Sequence, residues 1–309
     1  MNVGVLGAGS LGLLYTFKLS AICGGVEIIT RTKAQAEQIR RQGITLEGEA
    51  LSARVAASAY EARERALFQL DYLLLTVKQF ALDEALVGYI DERLTPSGRV
   101  ICFQNGVGHV EKLLSKLKPE QVMLAVTTEG AKKSSEAAVA HTGRGFTYLG
   151  PSTPHPFGQD FAAMEKNAGS ILEKAGFSVI LSNHMDNHVW SKLILNSVIN
   201  PLTAILQVRN GELLESSSAK KVMAALYEEG RSVAKAKKIE LPSDLWETIL
   251  SVCEKTAANH SSMLQDRLQS NRTEIDWING SLLRMANEEG LQLPVHLTIY
   301  QLIKALENK

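Results

Sequence analysis

The sequence predicts an α/β Rossmann-type N-terminal domain with a mostly parallel sheet, followed by an all-α C-terminal domain. Three observations predict it. A glycine-rich turn directly follows the first short apolar run. Apolar runs then alternate with polar helical stretches as far as about residue 182. Beyond that point only long amphipathic helices remain. The expected division is therefore 1–182 and 183–309, in line with a chain of 309 residues being longer than one core usually serves.

In order along the chain, residues 2–6 form an apolar run that ends in Gly7-Ala8-Gly9-Ser10-Leu11-Gly12, and 13–22 reads as a helix. Residues 26–30 are a second strand after the Gly24-Gly25 break, and 31–42 are a polar helix closed by Gly43. Further strands are expected at 72–77, 99–103, 122–126, 146–149 and 178–181. Crossover helices are expected at 81–94, 110–117 and 161–175. Residues 151–156 hold three prolines and read as a surface loop. The second half predicts helices at 186–206, 216–237, 245–258, 274–288 and 295–306, and the cleft between the halves is the expected place for chemistry.

Composition narrows the classes of function. Lys+Arg and Asp+Glu both number 33, so nothing in the net charge calls for a nucleic-acid or anionic-membrane partner. Cys23, Cys102 and Cys253 are scattered, with no spacing suited to zinc; they read as small buried residues in a reducing compartment, and no metal is expected. No apolar run approaches the ~20 residues of a membrane span, and the first glycines come too early for a signal peptide. The expected setting is cytoplasmic.

A glycine motif alone is weak, but here it lies between a strand and a helix, as dinucleotide binding requires. Gly7 permits the tight turn, Gly9 lets backbone approach a pyrophosphate, and Gly12 lets the helix pack on the strand. The N–H groups of the helix start, around Ala8, Ser10 and Leu11, then face the phosphates. The second strand ends in Thr30-Arg31-Thr32-Lys33 rather than in the carboxylate that binds a ribose 2′-OH. Arg31 can grip a 2′-phosphate with its planar donors, so NADPH/NADP+ is the expected cofactor. Lys78, after the third strand, can neutralise phosphate or ribose. Asn105, in Gln104-Asn105-Gly106, either meets nicotinamide or substrate or is a plain Asn-Gly turn.

The second half carries Lys192, Asn196 and Asn200 at i, i+4 and i+8, a polar stripe on an otherwise apolar helix. Buried lysine and asparagine are costly without partners, which favours a ligand-lined site. Pro201 removes the N–H that would bond the Ser197 carbonyl, so a kink is expected there. Ser262 and Glu274 lie in a second cluster. With Thr273 as N-cap, Glu274 falls in a first helical turn, where a dipole-stabilised carboxylate and a catalytic one look alike.

With these motifs in view, the chain resembles the ketopantoate reductase (2-dehydropantoate 2-reductase) family from end to end. The resemblance rests on GAGSLG at 7–12, Lys78, QNGVG at 104–108, WSKLILNSVINP at 190–201, SSMLQD at 261–266 and TEIDWING at 273–280. It implies reduction of ketopantoate by NADPH to (R)-pantoate for pantothenate and coenzyme A synthesis. Lys192 then matches the general acid and Glu274 the carboxylate that holds the substrate hydroxyl. Asn105, Asn196, Asn200 and Ser262 match positioning residues, and Arg31 and Lys78 match cofactor contacts. The expected partner is the small-molecule substrate, with a homodimer allowed for. Two rivals stay open: a related NADP-dependent keto or hydroxy acid dehydrogenase, and a non-catalytic NADPH-sensing protein on the same fold.

Overall fold

The computed structural model describes residues 1–62, 68–154 and 162–307. They form two compact units: Met1–Gln104 with His109–Met185, and Asn105–Gly108 with Asp186–Lys309.

The first unit is built around an eight-stranded sheet. Its strands and helices are β1 (Asn2–Leu6), α1 (Ser10–Ser20), β2 (Gly25–Thr30), α2 (Lys33–Gln42), β3 (Ile44–Leu46), β4 (Ser52–Ala53), β5 (Ala56–Ala59), β6 (Leu70–Leu75), α3 (Glu84–Arg93), β7 (Leu94–Cys102), α4 (His109–Leu113), β8 (Val122–Thr127), β9 (Gly130–Ser135), β10 (Ala138–Gly143), β11 (Phe146–Pro151), α5 (Ala163–Lys174) and β12 (Ser178–Leu181). The main sheet runs β12-β11-β8-β7-β6-β1-β2-β5. Every neighbouring pair is parallel except β8 and β11. The central strands β1 and β6 are apolar along nearly their whole length because both faces of a parallel sheet are covered. This is the Rossmann-type, mostly parallel sheet that the alternation predicts.

Several boundaries and one whole layer differ from expectation. A second sheet, β4-β3-β10-β9, lies in the same unit. Its strands carry few apolar residues in alternation (Gly130–Ser135 reads Gly-Ala-Lys-Lys-Ser-Ser), so the pattern hid them. β9 and β10 lie against α1. Covered by both sheets, α1 buries Leu13, Leu14, Tyr15, Thr16 and Leu19 and is apolar with little amphipathic character. The crossover expected at 110–117 shrinks to the single turn and a half of α4. β7 begins where the preceding helix was expected to end. Pro151 closes β11, while residues 155–156 of the expected loop and Phe161 of the expected helix lie outside the described residues.

The second unit is helical, with no strand among its described residues: α6 (Met185–Leu206), α7 (Ser217–Ala236), α8 (Leu245–Lys255), α9 (Ser262–Leu268), α10 (Asn279–Glu288) and α11 (Pro294–Glu307). Leu193, Ile194, Val198, Ile199 and Leu202 of α6 pack with Met223 and Leu226 of α7, Ile249 of α8 and Ile303 of α11 in one core. By length and composition α6 could cross a membrane, but 67% of its apolar window is buried within the protein, as suits the central helix of a bundle. Ser216 caps α7 by accepting from the Ala219 N–H, and Ser261 caps α9 by accepting from Leu264.

Candidate active site

Two groups of predicted residues are assembled, one in each unit. In the first unit Gly7 to Gly12 span the turn from the C-terminal end of β1 into α1. Gly7 has φ +113°, and a side chain there would meet the Val77 nitrogen at 2.9 Å. A Cβ at Gly12 would fall 1.8 Å from the Gly7 carbonyl oxygen, so only glycine lets the helix start this close to the strand. At Gly9 a Cβ would meet nothing within 4 Å, and no side chain caps the start of α1. A helix start with open space over its backbone and no capping side chain suits a diphosphate. Ala8 is buried, and its carbonyl accepts from Gln35. The Ser10 hydroxyl accepts from the Lys133 N–H, which ties the turn to β9. Leu11 packs at the edge of the unit's core.

Arg31 follows β2 directly and is exposed, its Nε 3.6 Å from Glu61 Oε1. A pair this exposed holds little energy, so the guanidinium can exchange it for a phosphate. Lys78 follows β6 at the same, C-terminal, edge of the parallel strands and is half-buried. This is the edge at which open α/β sheets take ligands.

In the second unit α6 presents Lys192, Asn196 and Asn200. The two asparagines are 8% and 6% exposed. Asn200 Nδ2 lies 3.4 Å from Ser262 Oγ at the start of α9. Asn105 Nδ2 donates to Glu274 Oε2 at 3.3 Å. That contact follows from packing of the Asn105–Gly108 loop on Trp277: the Val107 N–H reaches the Trp277 carbonyl, and Gly106 (φ +79°) has that oxygen 2.2 Å from where a Cβ would stand. The Asn-Gly dipeptide is thus a tight turn and also places Asn105 on a buried carboxylate.

Lys192 keeps some solvent exposure, yet the protein around it disfavours its ammonium. Desolvation pulls the pKa down from 10.5 to about 8, and the charge of Glu274 opposes the fall. The group stays mainly protonated at neutral pH but gives up its proton far more readily than a free lysine. Such a group can stabilise a developing oxyanion and then protonate it.

The expectation for Glu274 needs correction. It does not sit in the first turn of a helix begun by Thr273. It precedes a short 3-10 turn, Ile275–Trp277, and α10 starts only at Asn279. Thr273 does accept from the Ile275 N–H, but its hydroxyl also donates to Glu307, which anchors the segment to α11. Glu274 thus meets Asn105 and the field of Lys192 from the start of a single 3-10 turn, not from the first turn of an α-helix.

Several buried polar residues near these segments escaped the sequence reading. The motif around Asn105 ends one residue before His109, whose Nδ1 lies 3.1 Å from Gln79 Nε2. Burial, with a smaller contribution from Lys112, lowers its pKa to about 4. Asn279 and His296 form a second buried pair, Nδ2 to Nδ1 at 3.0 Å. Only the carbonyl freed by Pro201 hinted that a donor was needed there.

Comparison with known proteins agrees with this architecture. The sequence profile "Ketopantoate reductase PanE/ApbA" matches residues 3–154, and "Ketopantoate reductase PanE/ApbA C terminal" matches 184–307. The chain is 33% identical to the 2-dehydropantoate 2-reductase of Bacillus subtilis over 99% of this chain and 98% of that one. It is 33% identical to the enzyme of that name from Vibrio cholerae, again over 99% and 98%. A PanE/ApbA family ketopantoate reductase from Ralstonia eutropha superimposes with a TM-score of 0.88 at 29% identity, covering 100% of this chain and 99% of that one. D-mandelate dehydrogenase, solved with NADH and anilino(oxo)acetate, gives 0.89 at 25% identity with the same coverage. With both profiles matched in order and relatives aligned over nearly their full length, this chain belongs to the ketopantoate reductase PanE/ApbA family.

Proposed function

We propose that the protein reduces the 2-keto group of 2-dehydropantoate (ketopantoate) to give (R)-pantoate with NADPH, a step toward pantothenate and coenzyme A. The observation that carries this reading is the grouping in the helical unit of an ammonium of lowered pKa, Lys192, with the buried Glu274–Asn105 pair and the Asn200–Ser262 pair. These are two sets of polar groups, suited to the two ends of a small hydroxy-keto acid. In this reading residues 1–182 bind NADP, and 183–309 hold the substrate and the catalytic groups.

When bound, NADPH supplies the hydride to the keto carbon. The Gly7–Gly12 turn, with Ala8, Ser10 and Leu11, holds the diphosphate. Arg31 grips the 2′-phosphate, Lys78 adds positive charge at the same sheet edge, and Asn105 serves the cofactor as well as the substrate. Lys192 donates to the keto oxygen, stabilises the negative charge that grows there, and gives it a proton. Glu274 accepts from the substrate hydroxyl, Ser262 donates to the substrate carboxylate, and Asn196 and Asn200 orient substrate and lysine. The setting proposed is the cytoplasm, with no nucleic-acid or membrane partner. A homodimer is the assembly to test by light scattering.

The likeness to D-mandelate dehydrogenase supports a second reading, reduction of a bulkier 2-keto acid with NADH. Arg31, where a carboxylate would suit NADH, argues for NADPH, and Glu274 together with Ser262 argues for ketopantoate. Steady-state comparison of ketopantoate, pyruvate, 2-ketoisovalerate and benzoylformate, each with NADPH and NADH, separates the two. The first reading requires ketopantoate with NADPH to have the highest kcat/KM. A sensor would bind NADPH and turn over none of them.

A further inference from the structure

α6 carries Lys192, Asn196 and Asn200, and Pro201 lies inside this continuous helix. Proline has no N–H, so the Ser197 carbonyl four residues earlier lacks its helical donor, in a position that is fully buried. The side chain of Asn279, the first residue of α10, supplies the donor: its Nδ2 lies 3.0 Å from Ser197 O. The same nitrogen lies 3.0 Å from His296 Nδ1, and His296 Nε2 lies 3.0 Å from the Leu226 carbonyl.

The chemistry fixes every proton in this chain. A carbonyl can only accept, so Nε2 of His296 carries the ring hydrogen and Nδ1 is left as acceptor. The Asn279 amide then uses one N–H for His296 and the other for Ser197. Rotating the amide by half a turn would set oxygen against a carbonyl oxygen and a ring lone pair. Asn279 and His296 are both 0% exposed, and burial lowers the imidazole pKa to about 4, so the neutral tautomer persists through the working range. The Glu229 carboxylate accepts the N–H groups of Val295 and His296 and so anchors the ring's backbone.

On the C-terminal side of Ser197, Asn200 lies on Ser262, and the Thr203 hydroxyl is 2.7 Å from Ser261 Oγ, so this half of α6 is tied to α9. Lys192 and Asn196 belong to the half before it. We propose that Asn279, held by His296, is a positioning residue: by replacing the hydrogen bond that Pro201 removes at the Ser197 carbonyl, it sets the direction of the lysine half of α6 against the half tied to α9. The assignment rests on Lys192 serving the reaction proposed above.

The test uses the full chain with Pro201→Ala, Asn279→Ala and the double variant. Pro201→Ala restores the helical N–H, so the protein is expected to fold at least as stably as the parent while losing about tenfold or more in kcat/KM for ketopantoate through misalignment. The KM for NADPH is expected to stay unchanged. Asn279→Ala is expected to show the same kinetic split together with a lower unfolding midpoint, and that stability loss shrinks in the Pro201→Ala background, where the carbonyl is already paired. Full activity in a folded Pro201→Ala protein overturns the inference. So does a Pro201→Ala protein that does not fold, or equal stability losses for Asn279→Ala in both backgrounds. If Asn279→Ala does not fold, the opposite signs expected for stability and activity in Pro201→Ala still decide. Failure of the parent to reduce ketopantoate instead overturns the proposed function, and the stability cycle still tests the pairing.

Discussion

The lowered pKa of Lys192 makes the proposed chemistry measurable through pH. With a pKa of about 8, the side chain is about nine-tenths protonated at pH 7 and about one-tenth at pH 9. If its proton is the one delivered to the substrate oxygen, the rate of the chemical step falls about tenfold between these pH values. The assay is kcat/KM for ketopantoate at saturating NADPH, which reports the lysine before the keto acid binds, repeated with cofactor deuterated at the transferred position so that hydride transfer is seen to limit the rate. Glu274→Gln removes the charge that opposes the shift, so the alkaline limb moves to lower pH and the KM for the keto acid rises. Lys192→Ala lowers kcat by 10²–10⁴-fold, roughly the worth of a general acid. Stability gives an independent reading of the same group. The folded pKa lies below the unfolded one, so below about pH 8 both states are charged and folding bears the whole desolvation penalty. From about pH 8 to 10.5 the folded protein gives up its proton first, so the contribution of Lys192 to stability rises by up to about 3 kcal/mol, while the buried thiols of Cys102 and Cys253, pushed up by burial, act in the opposite direction above about pH 9. Lys192→Met removes that contribution, which is read as the difference in stability between parent and variant across this pH range in urea titrations. A kcat/KM that stays level to pH 10 in the parent, with hydride transfer limiting, refutes the role of Lys192.

Two further outcomes are expected. Arg31→Ala raises the KM for NADPH at least tenfold and leaves that for NADH nearly unchanged; stability changes by less than about 0.5 kcal/mol, because the Arg31–Glu61 pair is exposed. Equal losses for both cofactors place the 2′-phosphate elsewhere. Gly12→Ala puts a methyl group 1.8 Å from the Gly7 carbonyl oxygen, so the βα turn must open. The variant is destabilised by more than about 1 kcal/mol, and its NADPH affinity, read by fluorescence titration, falls with it. Tight NADPH binding by a stable Gly12→Ala protein refutes the turn as the diphosphate cradle.

The parts of this protein legible in the sequence are those that local rules control. Glycine geometry at 7–12 depends on a strand, a turn and a helix that are neighbours in the chain, and the apolar character of β1 and β6 reports burial on both faces. The stripe of Lys192, Asn196 and Asn200 follows from helical periodicity alone. The free carbonyl at Ser197 could likewise be read from Pro201. The second sheet could not, because β9 and β10 are held by pairing and by the cover they give α1 rather than by an apolar pattern of their own. Helical periodicity also ran on through Glu274, although the backbone there makes a 3-10 turn before α10.

The fold class, the glycine-rich turn and the residue types of the site follow from patterns local in the chain. Which of those residues meet, and how far burial and neighbouring charge shift Lys192, follows from packing. Asn105 reaches Glu274 across 169 positions, and Asn279 reaches Ser197 across 82. The pKa of Lys192 is set by how much protein surrounds its ammonium and by a carboxylate 82 residues later. Desolvation and electrostatics act through space, so a one-dimensional pattern can name the groups while the packed chain sets their distances and charges.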